Sequence, residues 1–453
     1  MTSQVAGPEL VDAQGGWFQR VPLHWAVCKL GFRYAVDLGK MLDEKQQDGR
    51  YPMPYLRNQD VQWGLVNATD LPVIDIDPIE IPRYTVRDGD LLVCEGGDVG
   101  RAAIWRGSSG LIAYQKALHR LRPRDARRDD PRFLFYSLVA AKAAGAFDES
   151  DSKATISHLP ADKFRQYRFA FPRRELQLEI ASFLDRETAR IDALIEKKTR
   201  FIELLREKRQ AVITRAVAKG LDSTAPLKPS HVEWLDDVPV HWQVVQVRHV
   251  AQLGSGHTPS RERPDWWQVC IVPWFTLADV WQVRRLRKQF VFETEERISE
   301  LGVANSSAVV HPAGSVMLSR TASVGFPAIM GCAMATSQDF AVWRCGPRLF
   351  NEFLYVVLLG MRREFDRVMI GSTHKTMYMP DIEAFRIALP PMSEQIAIVK
   401  HVEAAARRFE SLLELNERSI RLLHERRAAL ISAAVTGQID VRTEQQSEAL
   451  EPA

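Results

Sequence analysis

The sequence predicts an α+β protein with two globular domains of mixed α/β structure, separated by an antiparallel pair of long coiled-coil helices in a pseudo-two-fold symmetric arrangement. The first observation is an internal repeat: residues 21–25 (VPLHW) return as residues 238–242 (VPVHW), 217 positions later. The second is a helical run over 177–222 that returns without a gap over 395–440. This period is far longer than the roughly 20–50 residues of solenoid repeats, so it indicates a duplicated domain.

The first globular domain is predicted over residues 21–172, after an N-terminal tail over residues 1–20. Short β-type runs such as Asp90–Cys94 alternate with glycine-rich turns such as residues 95–98 (EGGD). A helical signal appears over residues 131–138, with proline in its first turn. The mixture is typical of a compact α+β domain.

The first long helix is predicted over residues 173–222. Neither glycine nor proline occurs between 175 and 217, and apolar residues recur there near the heptad period. Pro172 and Gly220 are suitable stop signals at the two ends. A helix of about 40 residues spans roughly 60 Å, and its apolar stripe requires a partner.

The second half of the chain repeats this order. A connector over residues 223–237 is followed by a second mixed domain over 238–390. A second long helix is predicted over 391–440, with Ser393 as its N-cap. A C-terminal tail over 441–453 completes the chain.

The two helices are each other's predicted partners, because their apolar stripes align at an offset of 218 residues. A whole domain separates them in the chain, so an antiparallel pair with one domain at each end is the simplest closure. Lys198 and Asn416 interrupt the stripe at the same place in both helices, and such polar residues can set the register. The alternative is that each helix packs on its own domain. The predicted seam consists of Leu184, Ile191, Lys198, Leu205, Val212, Val402, Phe409, Asn416, Leu423 and Leu430.

The composition favours a soluble globular protein of a reducing compartment. With 46% hydrophobic and 26% charged residues, the chain can bury substantial cores, while a net charge of +3 is too small to argue for nucleic acid. The five cysteines are odd in number and form no C-x-x-C pair, so we expect reduced thiols. Neither a basic-then-apolar leader nor an apolar run of about 20 residues is present. We therefore expect a prokaryotic cytoplasmic protein without a membrane partner.

The sequence lacks recognisable catalytic motifs. It contains no G-x-x-x-x-G-K-[ST] phosphate loop and no N-P-P-[FY] or D-P-P-Y tetrapeptide of the kind that holds a methyltransferase target. Residues 95–100 (EGGDVG) lack dinucleotide-binding spacing and lie between two β-type runs, which favours a hairpin. The acidic group of Asp75, Asp77 and Glu80 is interrupted by Pro78 and is not repeated, which favours a solvated loop. We expect neither a catalytic residue nor a metal site.

Several motifs together resemble those of type I restriction–modification specificity subunits, the DNA-recognition subunits of those complexes. They are the V-P-x-H-W opening of each half and segments 54–58 (PYLRN), 95–101 (EGGDVGR), 233–239 (EWLDDVP), 273–276 (PWFT), 319–325 (SRTASVG) and 433–440 (AAVTGQID). Each is weak alone, but their order, their duplication and the helix after each domain extend the resemblance over nearly the whole chain. One departure is that Gly220 and Gly437 sit one residue apart in the repeat.

The resemblance implies a non-catalytic subunit with two target-recognition domains, each reading one half of a split double-stranded DNA site. The globular domains differ strongly from each other, so the site should be asymmetric. The helices would act as a spacer on which two methyltransferase (modification) subunits dock, joined by two restriction/translocase subunits. Such complexes methylate DNA and defend against phage. S-adenosylmethionine, ATP and Mg²⁺ would be held by the partners, and no cofactor by this chain.

Candidate DNA contacts are side chains that can hold phosphates or hydrogen-bond to base edges. In the first domain they are Arg57, Asn58, Gln59, Arg101, Gln115 and Lys116. In the second they are Ser319, Arg320, Thr321, Ser323, Gln338, His374, Lys375 and Thr376.

The sequence also leaves open a different class of function. The chain could be a coiled-coil assembly or scaffold protein whose globular domains bind protein rather than DNA. A DNA binder would lose affinity steeply as salt rises, through counterion release, and a scaffold would not. A nuclease or methyltransferase within this one chain is supported by no motif.

Overall fold

The computed structural model describes residues 9–13, 16–41, 49–107, 110–148, 158–284, 289–369 and 375–442. The chain divides into two compact units. Unit 1 comprises residues 1–198 and 418–453, and unit 2 comprises residues 199–417. Each unit therefore combines one globular domain with a part of each long helix.

Unit 1 alternates short strands with short helices before the first long helix. In chain order its elements are β1 (Leu10–Asp12), β2 (Arg20–Pro22), β3 (Ala26–Lys29), α1 (Leu30–Arg33), β4 (Tyr34–Leu38), β5 (Pro52–Leu56), β6 (Val61–Gln62), β7 (Leu65–Val66), β8 (Val73–Asp75), α2 (Ile81–Tyr84), β9 (Leu91–Cys94), β10 (Ala102–Ile104), β11 (Ala113–Tyr114), β12 (Leu118–Pro123), α3 (Pro131–Ala143), α4 (Ala161–Phe164), β13 (Arg168–Phe171) and the start of α5 (Arg174–Lys219).

The strands of unit 1 form two main sheets. An antiparallel sheet has the order β10-β9-β12-β4, and a smaller sheet has the order β11-β5-β8, in which β11 and β5 are parallel. The central strand β9 is buried along its whole length, which explains its uninterrupted apolar sequence LLVC. Helix α3 shares a hydrophobic core with Leu91 and Val93 of β9. It begins with Pro131, and the Asp130 side chain caps it by accepting a hydrogen bond from the Arg132 amide.

Unit 2 takes in the last part of α5, from residue 199, and its globular domain follows the end of that helix. Its elements are β14 (Leu227–Pro229), β15 (Asp237–Pro239), β16 (Gln243–Gln246), β17 (Ala251–Ser255), β18 (Val272–Phe275), α6 (Val280–Arg284), β19 (Phe290–Val291), β20 (Glu296–Ile298), α7 (Glu300–Ala304), β21 (Val316–Ser319), β22 (Pro327–Met330), β23 (Ala335–Thr336), β24 (Phe340–Cys345), α8 (Asn351–Gly360), α9 (Arg362–Val368), α10 (Met379–Glu383), β25 (Arg386–Leu389) and the start of α11 (Met392–Val435).

The sheets of unit 2 repeat those of unit 1. The order β17-β24-β21-β22 matches β4-β12-β9-β10, with β19 added at the edge, and β20-β18-β23 matches β8-β5-β11. The parallel pair recurs as β18 and β23. The β6–β7 hairpin is a feature of unit 1 alone among the described strands. The duplication seen in the sequence is therefore a duplication of topology, which survives large differences in the connecting loops.

The two long helices run antiparallel within each unit. In unit 1, Asp192 of α5 and Arg427 of α11 form an ion pair at 3.0 Å, while Ile180 shares a core with Val435. In unit 2, Arg206 pairs with Glu417 at 3.5 Å, and Val217 shares a core with Ile398. In both units, later residues of α5 pair with earlier residues of α11, as antiparallel helices require. The predicted α+β class with antiparallel long helices is confirmed.

A fully buried glutamine joins each long helix to the domain that precedes it. Gln177 Nε2 donates to the carbonyls of Pro172 and Arg128 at 2.8 and 3.0 Å, and its Oε1 accepts from the Asp130 amide at 3.0 Å. Gln395 makes the three equivalent contacts in unit 2. Because both glutamine side chains are buried and their backbone partners are buried or partly buried, each bond satisfies a backbone group that has little access to water.

A glycine after each long helix packs on the tryptophan of the repeated V-P-x-H-W motif. Gly220 adopts φ +73° beside Trp242, and Gly437 adopts φ +70° beside Trp25. The one-residue departure between the two helix ends thus leaves the same left-handed turn against the same aromatic residue.

The predicted seam residues are all withdrawn from solvent to some degree. Those that are buried are Leu184, Ile191, Leu205, Val402 and Asn416, and those that are half-buried are Lys198, Val212, Phe409, Leu423 and Leu430. The Asn416 side chain donates to the Leu412 carbonyl at 2.8 Å within its own helix. That these residues set the register stays a prediction.

Candidate nucleic-acid interface

Parallel strands bring two loops to one edge of unit 1. The Gln115 amide donates to the Leu56 carbonyl at 3.0 Å, as expected where β11 and β5 end side by side. Residues 57–59, which follow β5, therefore lie next to residues 115–116, which follow β11. Side chains from distant parts of the sequence meet at this edge.

Unit 2 repeats this backbone arrangement. The Ser337 amide donates to the Phe275 carbonyl at 3.0 Å, where β23 and β18 end. Residues 276–278 lie next to residues 337–338. Tyr114 and Thr336 hold the same place in these strand pairs, so the residues that follow them can be aligned one to one.

A glycine lets a third segment approach each edge. In unit 1 the Lys40 amide donates to the Tyr114 carbonyl at 2.9 Å, and a Cβ on the preceding Gly39 would overlap that carbonyl oxygen. In unit 2, His257 and Gly256 hold the same places against β23. Only glycine allows the two backbones to come this close.

A turn and a returning segment complete each edge. In unit 1, residues 95–100 turn between β9 and β10, and this turn forms a β-bridge with His158. In unit 2, residues 320–325 turn between β21 and β22 and form a bridge with Thr376. We call the resulting surfaces polar edge 1 (residues 39–40, 57–59, 95–98, 115–116 and 158) and polar edge 2 (residues 256–258, 276–278, 320–323, 337–338 and 375–376).

Three of the candidate DNA contacts in unit 1 hold polar edge 1 together. The Arg57 guanidinium makes two hydrogen bonds to the buried Asp60 carboxylate, at 2.9 and 2.8 Å. Arg101 Nη2 donates to the Asn58 side-chain oxygen at 3.0 Å, and Asn58 Nδ2 donates to the Gly96 carbonyl at 3.1 Å. These groups position the loops, and much of their hydrogen-bonding capacity is used within the protein.

Other candidates in polar edge 1 face solvent. Gln59 and Lys116 are exposed and Gln115 is half-buried. Beneath them the buried Glu95 carboxylate lies 3.1 Å from His158 Nε2. Burial raises the pKa of Glu95, and attraction to His158 and Lys116 opposes that rise. Polar edge 1 thus combines a buried acid with exposed amide and ammonium groups.

In unit 2 one predicted contact is unavailable. Ser319 is fully buried, and its hydroxyl accepts a hydrogen bond from the Phe326 amide at 3.0 Å. Its side chain bonds across the turn and is withdrawn from the surface, because Ser319 lies on β21, the central strand of its sheet. The motif around it gave no sign of this burial. His374, another candidate, lies outside the described residues.

The remaining candidates in unit 2 converge on polar edge 2. Arg320 Nε donates to the Gln338 carbonyl at 3.0 Å, and the Ala322 amide donates to the Lys375 carbonyl at 3.0 Å. Gln338 and Lys375 are exposed, whereas the candidates that are half-buried are Arg320, Thr321, Ser323 and Thr376. The predicted residues of this loop and its neighbours are therefore brought together by the fold.

The two edges differ in charge at one equivalent backbone position. The Glu95 amide donates to the Ala117 carbonyl, and the Arg320 amide donates to the Asp339 carbonyl, at 3.0 and 2.8 Å. Both residues begin the turn of their edge, but one side chain is acidic and the other basic. The same scaffold thus offers two different chemical surfaces.

The sequence reasoning missed several residues of the polar edges. They are Lys40, His158, His257 and Thr258. Lys40 and His257 lie 217 positions apart, and each directly follows a glycine. This repeated glycine is the sequence feature that could have indicated them. Their nearness to the other residues depends on strand pairing across distant segments, which the sequence pattern does not reveal.

The described residues show neither a metal-binding cluster nor a membrane-spanning helix. Within them, no group of three or more His, Cys, Asp or Glu side chains is arranged to hold a metal ion. Among the helices described, none is both long and apolar enough to cross a membrane.

Comparison with known proteins places this chain in one family. The Type I restriction modification DNA specificity domain family matches residues 24–204 and again residues 239–418. The type I restriction enzyme MjaVIII specificity subunit of Methanocaldococcus jannaschii is 23% identical over 447 residues, covering 93% of this chain and 95% of that protein.

Solved structures agree at the level of the fold. A chain from a study of complex assembly and conformational transition of the type I R-M system has a TM-score of 0.65 at 17% identity, over 92% of this chain and 99% of that one. The HsdS subunit from Thermoanaerobacter tengcongensis has a TM-score of 0.58 at 16% identity, over 92% and 98%. With two copies of the family domain on two units of matching topology, the chain belongs to the type I restriction–modification specificity subunits.

Proposed function

We propose that this specificity subunit binds a bipartite, asymmetric double-stranded DNA site, with polar edge 1 facing one half-site and polar edge 2 the other. The observation that carries the proposal is the repetition of one backbone edge with two different sets of polar side chains. A common backbone suits a common task, and different side chains suit different base pairs. The subunit itself is non-catalytic in this proposal.

The long helices are proposed to carry the partners. Leu194 and Leu412 occupy equivalent helix positions and are 40% and 41% exposed, and Leu204 and Leu422 are 45% and 53% exposed. Large exposed apolar side chains are suited to binding a partner. Because these leucines are exposed at equivalent places in both helices, they support two equivalent docking surfaces, one for each modification subunit. Two restriction subunits would join them, and S-adenosylmethionine, ATP and Mg²⁺ would be bound by these partners.

Grafting another family member's domain over residues 21–172 is expected to change one half of the methylated site and leave the other half intact. The measurement is sequencing of methylated positions in DNA treated with the subunit plus modification subunits. The purified subunit alone serves as the control and should transfer no methyl groups. A change in both halves, or methyl transfer by the subunit alone, would contradict the proposal.

The affinity of the full chain for duplex DNA is expected to fall steeply with salt. Each phosphate contact lowers the slope of log affinity against log salt by about 0.9. Gel-shift titrations with potassium chloride measure this slope. A scaffold protein whose domains bind protein would show no measurable duplex binding, and that result would remove the DNA-recognition proposal.

A further inference from the structure

Lys116 and Gln338 occupy the same position in the two polar edges. Each lies two residues beyond a strand residue, Tyr114 or Thr336, that is paired with the neighbouring parallel strand. Because the strand register is the same in both units, the two side chains start from equivalent backbone positions. Both are exposed.

Gln338 is oriented for recognition of a base. Its Oε1 accepts a hydrogen bond from the Thr258 hydroxyl at 2.7 Å, which leaves the Nε2 amide group to donate elsewhere. The carbonyl oxygen keeps a second lone pair, so the amide retains one donor and one acceptor side by side. That pair matches adenine in the major groove, which offers N7 as acceptor and the N6 amine as donor.

Lys116 presents different chemistry at this position. An ammonium group only donates, and guanine offers two acceptors, O6 and N7, on its major-groove edge. Attraction between the Lys116 ammonium and the buried Glu95 carboxylate opposes the rise in the pKa of Glu95, so the two charges belong to the same polar edge. The main alternative role is a contact to phosphate.

We propose that the shared position of Lys116 and Gln338 selects a base pair in each half-site: Gln338 reads adenine in an A·T pair, and Lys116 reads guanine in a G·C pair. The inference rests on the proposed function and adds the identity of one base pair in each half-site. It follows from register, exposure and donor–acceptor pattern.

The test uses the complete chain assembled with modification subunits and a pool of duplexes of random sequence. Bound DNA is sequenced for the wild type and for Gln338→Ala and Lys116→Ala. We expect Gln338→Ala to lose about 5- to 150-fold discrimination at one A·T pair, with every other position kept. Lys116→Ala should do the same at one G·C pair of the other half-site. Gln268→Ala, at an exposed glutamine that is not one of the residues of polar edge 2, should change nothing.

Several results would overturn the inference while leaving the proposed function intact. They are unchanged base preferences in both variants, an even loss of affinity across all sequences, or complete loss of binding, because one base contact cannot account for more than about 150-fold. An even loss would identify a phosphate contact. If the wild-type complex selects no split site, the proposed function itself fails.

Discussion

Replacing Gln395 with leucine is expected to destabilise unit 2 by about 2–4 kcal/mol. Its Nε2 donates to the Pro390 and Arg348 carbonyls, both at 2.9 Å, and its Oε1 accepts from the Phe350 amide at 2.8 Å. Leucine is similar in size, so little cavity forms, but three backbone groups lose their partner: the buried Pro390 carbonyl and the partly buried Arg348 carbonyl and Phe350 amide. Each unpaired group costs about 1–3 kcal/mol.

Hydrogen exchange of the full chain in increasing urea measures this loss within unit 2, without assuming that both units unfold together. Gln268→Leu, at an exposed glutamine of the same unit, should stay within about 0.5 kcal/mol of the wild type. The equivalent change Gln177→Leu should have a similar effect confined to unit 1. A loss below about 1 kcal/mol in Gln395→Leu would show that the buried hydrogen bonds are replaced, for example by water.

Replacing Gly256 with alanine is expected to open polar edge 2 and to abolish discrimination in one half-site. The added Cβ would overlap the Thr336 carbonyl and crowd the backbone of Ser337, and backbone atoms cannot rotate away as a side chain can. Overpacking of this kind costs about 1–3 kcal/mol and displaces residues 256–258 from β23. Because Thr258 holds the Gln338 amide, the displacement reaches a proposed base reader.

The measurement pairs urea unfolding with selection from random duplexes. Gly254→Ala is the matched control, because its Cβ would meet only the tip of the His311 ring at 3.2 Å and a carbonyl at 3.9 Å. Gly39→Ala should affect the other half-site in the same way. Full retention of both half-sites by Gly256→Ala would show that the close approach of these backbones is unimportant for recognition.

Local patterns predicted the helices well, because their signals lie within single stretches of sequence. The glycine- and proline-free run led directly to α5, and the aligned apolar stripes led to the antiparallel pair. The polar edges were predicted only in part. Asn58, Arg101 and Lys116 come together, but nothing in their order shows that Arg57 is bound to Asp60.

Burial and long-range pairing account for what was missed. Ser319 directly precedes the turn over residues 320–325 and is fully buried, because β21 is the central strand of its sheet. Lys40 joins Gln115 through a β-bridge that spans 75 residues of chain. Such contacts depend on the complete sheet, so the local sequence pattern around each residue does not predict them.

The interleaving of the two units has a consequence for the order in which they can form on the ribosome. Unit 2 is one continuous stretch, residues 199–417, whereas unit 1 needs residues 418–442 to cover Ile180 and Leu184 with Ile431 and Val435. Synthesis of the roughly 220 intervening residues takes about 10–45 s at 5–20 residues per second. The half of the protein that is translated first is therefore completed last, and during that interval its apolar helix face is open to chaperones or to another nascent copy.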